Sequence, residues 1–264
     1  MSGRVAVVTG GYGVLGGSMV DGLAAAGVRV AILGRRYGPA EQKATEIRER
    51  GGEAMALVAD ALDEAGLRKA LAELLNAWGQ VDILLNAAGG NVARARTDQV
   101  PVFAMPADAF DEVVRLNLQG TVLPSLVFGE AMADRKRGSI INISSMAAQQ
   151  AISGVLGYSV AKAAIDSFTR WMAVDLARRH GDGLRVNAIA PGFFLASQNR
   201  GVLVNEDGSH TDRALAIIAR TPMGRFGAPE ELNGAVHWLC SDAASFVTGA
   251  VIPIDGGFSA FSGV

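Results

Sequence analysis

Cysteine is almost missing from this chain. Cys240 is the only one in 264 residues, which excludes an internal disulfide and any cysteine-rich metal site. With Trp238 and Leu239 before it, it is expected as a small buried hydrophobe on a helix. An excess of either charge is missing too. The 24 Lys and Arg against 26 Asp and Glu leave a net charge of −2, which gives no electrostatic reason to expect nucleic acid or an anionic membrane as partner. Long apolar runs are absent: that of the opening MSGRVAVVTG is far too short for a signal peptide, and no later run approaches the roughly 20 residues of a membrane span. A soluble, cytosolic protein taking a small molecule is expected. No linker or internal repeat appears, so residues 1–264 are expected to form one domain.

What is present suits a buried sheet with tight turns: 50% of residues are hydrophobic and 33 are glycine. Residues 4–9 (RVAVVT) form a short β-branched run of the kind buried on both faces of a parallel sheet. GGYGVLGG follows, then a helical pattern over 18–26. A strand, a glycine-rich turn and a helix N-terminus together cradle phosphate, because glycines admit the backbone and free N–H groups attract the charge. Residues 28–33 are the second strand, and it runs into Gly34-Arg35-Arg36. An acidic residue here would bind the adenosine ribose hydroxyls. None is present, and two arginines leave room and positive charge for a 2′-phosphate, so NADP(H) is expected over NAD(H).

Further along come a charged helix (39–50), strand three (54–59) ending in Asp60, and a helix through Trp78 capped by Asp63. Strand four (81–85) runs into Asn86-Ala87-Ala88-Gly89-Gly90-Asn91. A polar irregular loop (91–106) precedes a helix over 107–134, with a bend expected at Pro124. Strands over 140–143, 184–190 and 251–254 complete the alternation, and a last helix covers 229–240. This is the α/β class: a Rossmann-type, doubly wound parallel sheet of about seven strands with helices on both faces. Residues 193–225 are the least regular stretch and the candidate substrate lid.

The stretch SIINISSMAAQQAISGVLGYSVAK (139–162) carries the chemistry. Tyr158 and Lys162 are i and i+4 on a helical pattern, hence one turn apart on one face. An ammonium beside a phenol favours the phenolate and is expected to lower the Tyr pKa from about 10. Ser145, at the end of the preceding strand, can hydrogen-bond the substrate oxygen that Tyr158 would protonate.

This constellation resembles the Ser-Tyr-Lys centre of the short-chain dehydrogenase/reductase family, and the resemblance runs from Thr9 to Gly257. Its glycine motif is T-G-x-x-x-G-x-G; Thr9, Gly10 and Gly16 match, but Val14 takes the middle glycine position and Gly13 sits one residue early. The resemblance implies a catalytic set of Asn117, Ser145, Tyr158 and Lys162, with Asn117 kinking its helix and holding a water that connects to Lys162. It implies cofactor contacts from Gly10, Tyr12, Gly13, Leu15 and Gly16, from Arg35 and Arg36, and from Asp60 and Ala61. Asn86, Ala88 and Gly89 resemble the segment beneath the nicotinamide ribose. Pro191, Gly192 and Phe194 follow the N-x-x-x-P-G segment beside the nicotinamide, where Ala196 replaces the usual Thr and Ser197 can take over its hydrogen bond. A homotetramer built on the helices around 107–134 and 157–179 is also implied.

Within the family, NAAGGN, APGFFLASQNR, TPMGRF and DGGFSAFSGV look like the subgroup described as D-mannonate oxidoreductases or fructuronate reductases. A lid rich in amide and guanidinium groups agrees with a sugar acid. Asn91 and Gln149 are the expected partners of its hydroxyls, and Arg200, ahead of Arg220 and Arg225, the partner of its carboxylate. No metal is required, since Tyr158 and Ser145 polarise the carbonyl. Reduction of a 3-oxoacyl thioester, or of another polyol or ketone, remains open, as does an NADP(H) sensor without turnover; the complete Ser-Asn-Tyr-Lys set argues against the sensor.

Overall fold

Seven short runs of β-branched and aliphatic residues become strands: β1 (Val5–Thr9), β2 (Arg29–Gly34), β3 (Ala54–Val58), β4 (Ile83–Asn86), β5 (Gly138–Ile143), β6 (Leu184–Pro191) and β7 (Val251–Ile254). The structure is a computed structural model describing residues 1–98, 101–195 and 197–263, with 197–199 described in their backbone alone. All seven strands run parallel, in the order β3-β2-β1-β4-β5-β6-β7. This is the expected doubly wound α/β sheet.

Nine helices are described: α1 (Val14–Ala25), α2 (Tyr37–Glu49), α3 (Glu64–Trp78), α4 (Ala107–Val114), α5 (Gly120–Asp134), α6 (Leu156–His180), α7 (Ser197–Leu203), α8 (Asp212–Arg220) and α9 (Asn233–Cys240). On one face of the sheet Met19 and Leu23 of α1, Ile47 of α2 and Val236 and Leu239 of α9 pack on Ala6 and Val8. On the other, Leu67 and Leu74 of α3, Phe128 of α5 and Met172 of α6 pack on Val5 and Val7. Adjacent strand residues thus enter opposite cores, which is why the strands read as continuous apolar runs. Each fully buried aliphatic or aromatic side chain contributes about 1.5–3 kcal/mol. Cys240 lies in the first of these cores, and burial pushes its thiol up to about 12.

Strand order reverses between β1 and β4, whose last residues Thr9 and Asn86 are in register. A crevice opens beyond the C-terminal ends there, the usual ligand position in such sheets.

The structure departs from the sequence expectation in three elements. Helix α1 starts at Val14 rather than 18. Gly16 and Gly17, poor helix formers, sit in its first turn, and a Cβ at Gly16 would lie 2.4 Å from the Gly10 carbonyl oxygen. The helix over 107–134 is interrupted by a π-helical turn at Arg115–Gln119, so the irregularity centres on Asn117 and not on Pro124, which lies inside α5. The lid is more regular than expected. Helices α7 and α8 fold on each other through Leu203, Ala214 and Ile217, with Phe193 and Phe226 against them. Asp63 caps α3 as expected, accepting from the Ala65 amide.

Candidate active site

Strand β5 delivers its last residues to the crevice floor. Ser144 and Ser145 follow Ile143, and Ser145 Oγ accepts from the Ala147 amide at 3.1 Å, capping a short 3-10 turn. Chain reversal through 149–155 leads into α6, which presents Tyr158 in its first turn and Lys162 one turn later. Lys162 is 3% exposed, and its Nζ donates to the Ile143 carbonyl at 2.7 Å. That bond ties the ammonium to the end of β5, 5.4 Å from the centre of the Tyr158 ring.

Asn117 reaches this floor from the π turn. Its amide nitrogen donates to the carbonyls of Gly90 (2.7 Å) and Val113 (2.8 Å), and its Oδ1 accepts from the Gly90 amide at 3.1 Å. The side chain therefore clasps the backbone leaving β4. Gly89 passes so close that a Cβ there would lie 2.7 Å from Asn117 Oδ1 and 3.7 Å from Lys162 Nζ, so only glycine fits.

The electrostatics differ from the sequence expectation. Burial lowers Lys162 to about 8, against the opposing charge of Asp166. Burial raises Tyr158, and the group that pulls it back is Ser145, by hydrogen bonding. The expected depression of the phenol by the Lys162 ammonium is thus corrected: desolvation outweighs the neighbours. Asp166, one turn beyond Lys162 and 4% exposed, accepts a hydrogen bond from the Ser144 hydroxyl. Burial raises this carboxyl, opposed by the Ser144 bond and by Arg170 and Lys162.

Two hollows meet here. A crevice of about 490 Å³ runs from Lys162 and Tyr158 past Ala88, Gly89 and the turn Gly10–Gly16 to Arg35, Arg36, Asp60 and Ala61. Tyr12, Gly13 and Leu15 line it within that turn. Its glycines bring backbone to the floor, and its run from Lys162 and Tyr158 to Arg35 and Arg36 is the course a dinucleotide takes in such sheets, its adenosine end at the arginines. A second cavity of about 290 Å³ opens over Ser145 and Tyr158, and Pro191, Gly192 and Phe194 form part of its wall. Asn91 lines both.

Three expected residues are elsewhere. Asn86 is 1% exposed and turns into the protein, donating to Ser125 Oγ at 2.8 Å and Asn142 Oδ1 at 2.9 Å. Gln149 is exposed and does not line the cavity, because the 3-10 turn after Ser145 carries it outward. Arg200 is exposed on α7 and lines neither hollow, since it is Val202 and Leu203 that face the cavity. Arg225 pairs with Glu231 at 2.7 Å. Ala196 and the side chains of Ser197, Gln198 and Asn199 lie outside the described residues.

In their stead the cavity wall holds Arg96, Asp98, Ser153 and Arg213. Arg96 and Asp98 form a two-point ion pair, and Arg213 donates to Ser153 Oγ at 3.0 Å and its carbonyl at 3.1 Å. The start of α8 was findable, since Thr211 is an N-cap, accepting from the Ala214 amide at 3.2 Å, and Ala214 and Ile217 mark its buried face; that Arg213 faces the cavity depends on how α8 packs. The rest of the wall, Met146, Ile152, Val155, Phe193, Val202 and Leu203, is apolar.

The family model described as Enoyl-(Acyl carrier protein) reductase matches residues 13–259. The chain is 46% identical to the uncharacterised oxidoreductase UxuB of Bacillus subtilis, over 100% of this chain and 98% of that one. A proposed D-mannonate oxidoreductase from Haemophilus influenza, solved with bound NAD, superposes with a TM-score of 0.92 at 39% identity, covering 100% of this chain and 98% of that one. A gluconate 5-dehydrogenase from Burkholderia cenocepacia, in complex with NADP and tartrate, superposes with a TM-score of 0.89 at 32% identity, covering 99% and 97%.

Proposed function

Because the chain belongs to the short-chain dehydrogenase/reductase family, whose members act on CH–OH groups with NAD(P), we propose that it moves hydride between NADP(H) and a sugar acid of the fructuronate/mannonate kind. The observation that carries this is the meeting of a dinucleotide-sized crevice and a substrate-sized cavity at Tyr158.

Tyr158 is the proton donor. In reduction its hydroxyl protonates the carbonyl oxygen; in oxidation it takes the proton back. Burial holds the phenol protonated, as a donor requires. Ser145 hydrogen-bonds the same oxygen and orients it. Lys162, tethered to Ile143, binds the nicotinamide ribose, and Asn117 fixes the turn beneath it. When bound, the nicotinamide supplies or accepts the hydride. Arg35 and Arg36, with no acidic residue at the end of β2, support NADP(H), although one similar structure holds NAD and another NADP.

The sugar-acid assignment is supported by the mannonate and gluconate enzymes among the similar structures and by the cluster of Arg96, Asp98, Ser153 and Arg213 in the cavity wall. Arg213, not Arg200, is the carboxylate partner on this reading. The apolar remainder of the wall favours a second candidate, a neutral secondary alcohol or ketone. The enzyme is taken to work in the cytosol, as one domain per chain and four chains per assembly.

Initial rates on hexuronates, hexonates and neutral ketones, each with NADPH and NADH, test this. We expect fructuronate to be turned over and NADPH to be preferred about ten- to a hundredfold, the worth of one charge-assisted phosphate contact. Arg213→Ala should raise KM for fructuronate and leave a neutral ketone almost untouched. Turnover of neutral ketones alone would remove the sugar acid, and an equal loss on both classes would make Arg213 structural.

A further inference from the structure

Gly34 ends β2 where an acidic side chain would meet the ribose hydroxyls of an unphosphorylated cofactor. Its backbone does not demand glycine: it is an ordinary buried strand residue, absent from the positive-φ positions. Space does. A Cβ at Gly34 would lie 2.2 Å from Cε1 of Tyr12 and 2.8 Å from both its Cζ and its hydroxyl oxygen. The ring of Tyr12, from the glycine-rich turn, occupies the seat of the missing side chain. The turn is held there by the Gly10 amide, which donates to the Leu33 carbonyl at 2.9 Å. The Arg36 guanidinium lies over the same ring, 5.4 Å from its centre.

We propose that Tyr12 and Gly34 form a steric lock that sets cofactor specificity. The ring bars a carboxylate from the end of β2, and its face holds the Arg36 cation at the adenosine end of the crevice, ready for a ribose 2′-phosphate. The second half rests on the NADP(H) reading; the first, the competition of ring and side chain for one volume, does not. Two features that look independent in the sequence are then one device: the tyrosine in the turn and the glycine after the strand. It follows that an acidic residue at position 34 must first displace the Tyr12 ring, so its conversion of the site to NAD(H) should be complete only when the tyrosine is replaced as well.

Two measurements on the whole protein test this: thermal melting, and calorimetric titration with adenosine 2′,5′-bisphosphate and adenosine 5′-monophosphate. Tyr12→Ala should weaken the bisphosphate about two- to fivefold more than the monophosphate, the usual strength of an exposed cation–ring contact. Tyr12→Phe, which keeps the ring face, should restore the bisphosphate affinity. Gly34→Asp should lower the melting temperature in the native background and lower it much less in Tyr12→Ala. The double variant should favour the monophosphate over the bisphosphate more strongly than Gly34→Asp alone. Additive melting shifts, or a Gly34→Asp single variant that switches preference as well as the double one, would overturn the lock. If the unmodified protein binds both nucleotides equally while the melting shifts stay non-additive, the lock stands and the NADP(H) reading falls.

Discussion

Lys162 serves two opposed requirements. Its proposed work at the ribose needs a positive charge, yet its position on α6 removes it from water and lowers it from 10.5 to about 8. Among the described residues, the Ile143 carbonyl is its one hydrogen-bond acceptor. The unfolded chain therefore holds the Lys162 proton between pH 8 and 10.5, where the folded chain has released it. Stability from this group rises with pH through that window, and below it the full burial penalty persists. Lys162→Met removes the titration. In urea unfolding the native protein should gain on the variant by up to about 3 kcal/mol between pH 7.5 and 10.5, each pKa unit being about 1.4 kcal/mol. A gap that ignores pH would mean that the ammonium is solvated. Tyr158 gives a cleaner test of chemistry, because its raised pKa leaves it protonated throughout the neutral range. Tyr158→Phe should lower turnover by about 10²–10⁴-fold while adenosine 2′,5′-bisphosphate binding stays native. A near-native rate would remove Tyr158 from the mechanism.

A chain of small polar side chains locks the elements that carry these residues. Thr121 Oγ1 donates to the Asn117 carbonyl at 3.0 Å and Ser125 Oγ to the Thr121 carbonyl at 2.7 Å, each one turn back along the helix. From Ser125 the chain crosses to Asn86 of β4, to Asn142 of β5 and, at 2.9 Å, to Thr169 of α6. Breaking it should cost stability without touching substrate. Thr169→Val keeps the shape but leaves the Asn142 amide short of an acceptor, a loss of about 1–3 kcal/mol in denaturant unfolding, with KM unchanged. A changed KM with native stability would place Thr169 in the site instead. The same chain explains what the sequence hid. Asn117, Thr121 and Ser125, at four-residue spacing, are all fully buried. Asn86 looked like a crevice residue because it ends β4; its side chain alternates to the helix side, and the backbone beyond it, from Ala87 to Asn91, lines the crevice. The strands were legible because burial on both faces demands β-branched runs, and Tyr158, Lys162 and Ser145 because spacing brings them to one floor. The lid was not: facing the cavity depends on how α7 and α8 fold on Phe193, a tertiary fact with no local signal for Arg200.

At the scale of the whole molecule, the helices behind the site expose three large apolar side chains. Trp171 is 69% exposed and Val174, three residues on along α6, is 59% exposed; Leu126 on neighbouring α5 is 54% exposed. Single exposed hydrophobics need no explanation; three large ones on two helices packed side by side are where the proposed assembly is expected to form. Helix α6 carries Tyr158 and Lys162 at its start and Trp171 further along, so a partner covering this face would also stiffen the helix that positions the site. Family resemblance implies a homotetramer through these two helices. In a two-fold interface each substitution counts twice, and burying one large apolar side chain is worth about 1.5–3 kcal/mol. Trp171→Glu removes that burial and adds a charge at both copies. Sedimentation velocity at micromolar concentration should therefore find the native chain as a tetramer and the variant shifted to smaller species, with the dissociation constant raised at least about a hundredfold. Melting in the same buffer should drop with dilution for the native protein and stay constant for the dissociated variant, since only the former couples folding to assembly. A native chain that sediments as a monomer would refute the tetramer, and an unchanged assembly in the variant would move the interface away from α5 and α6.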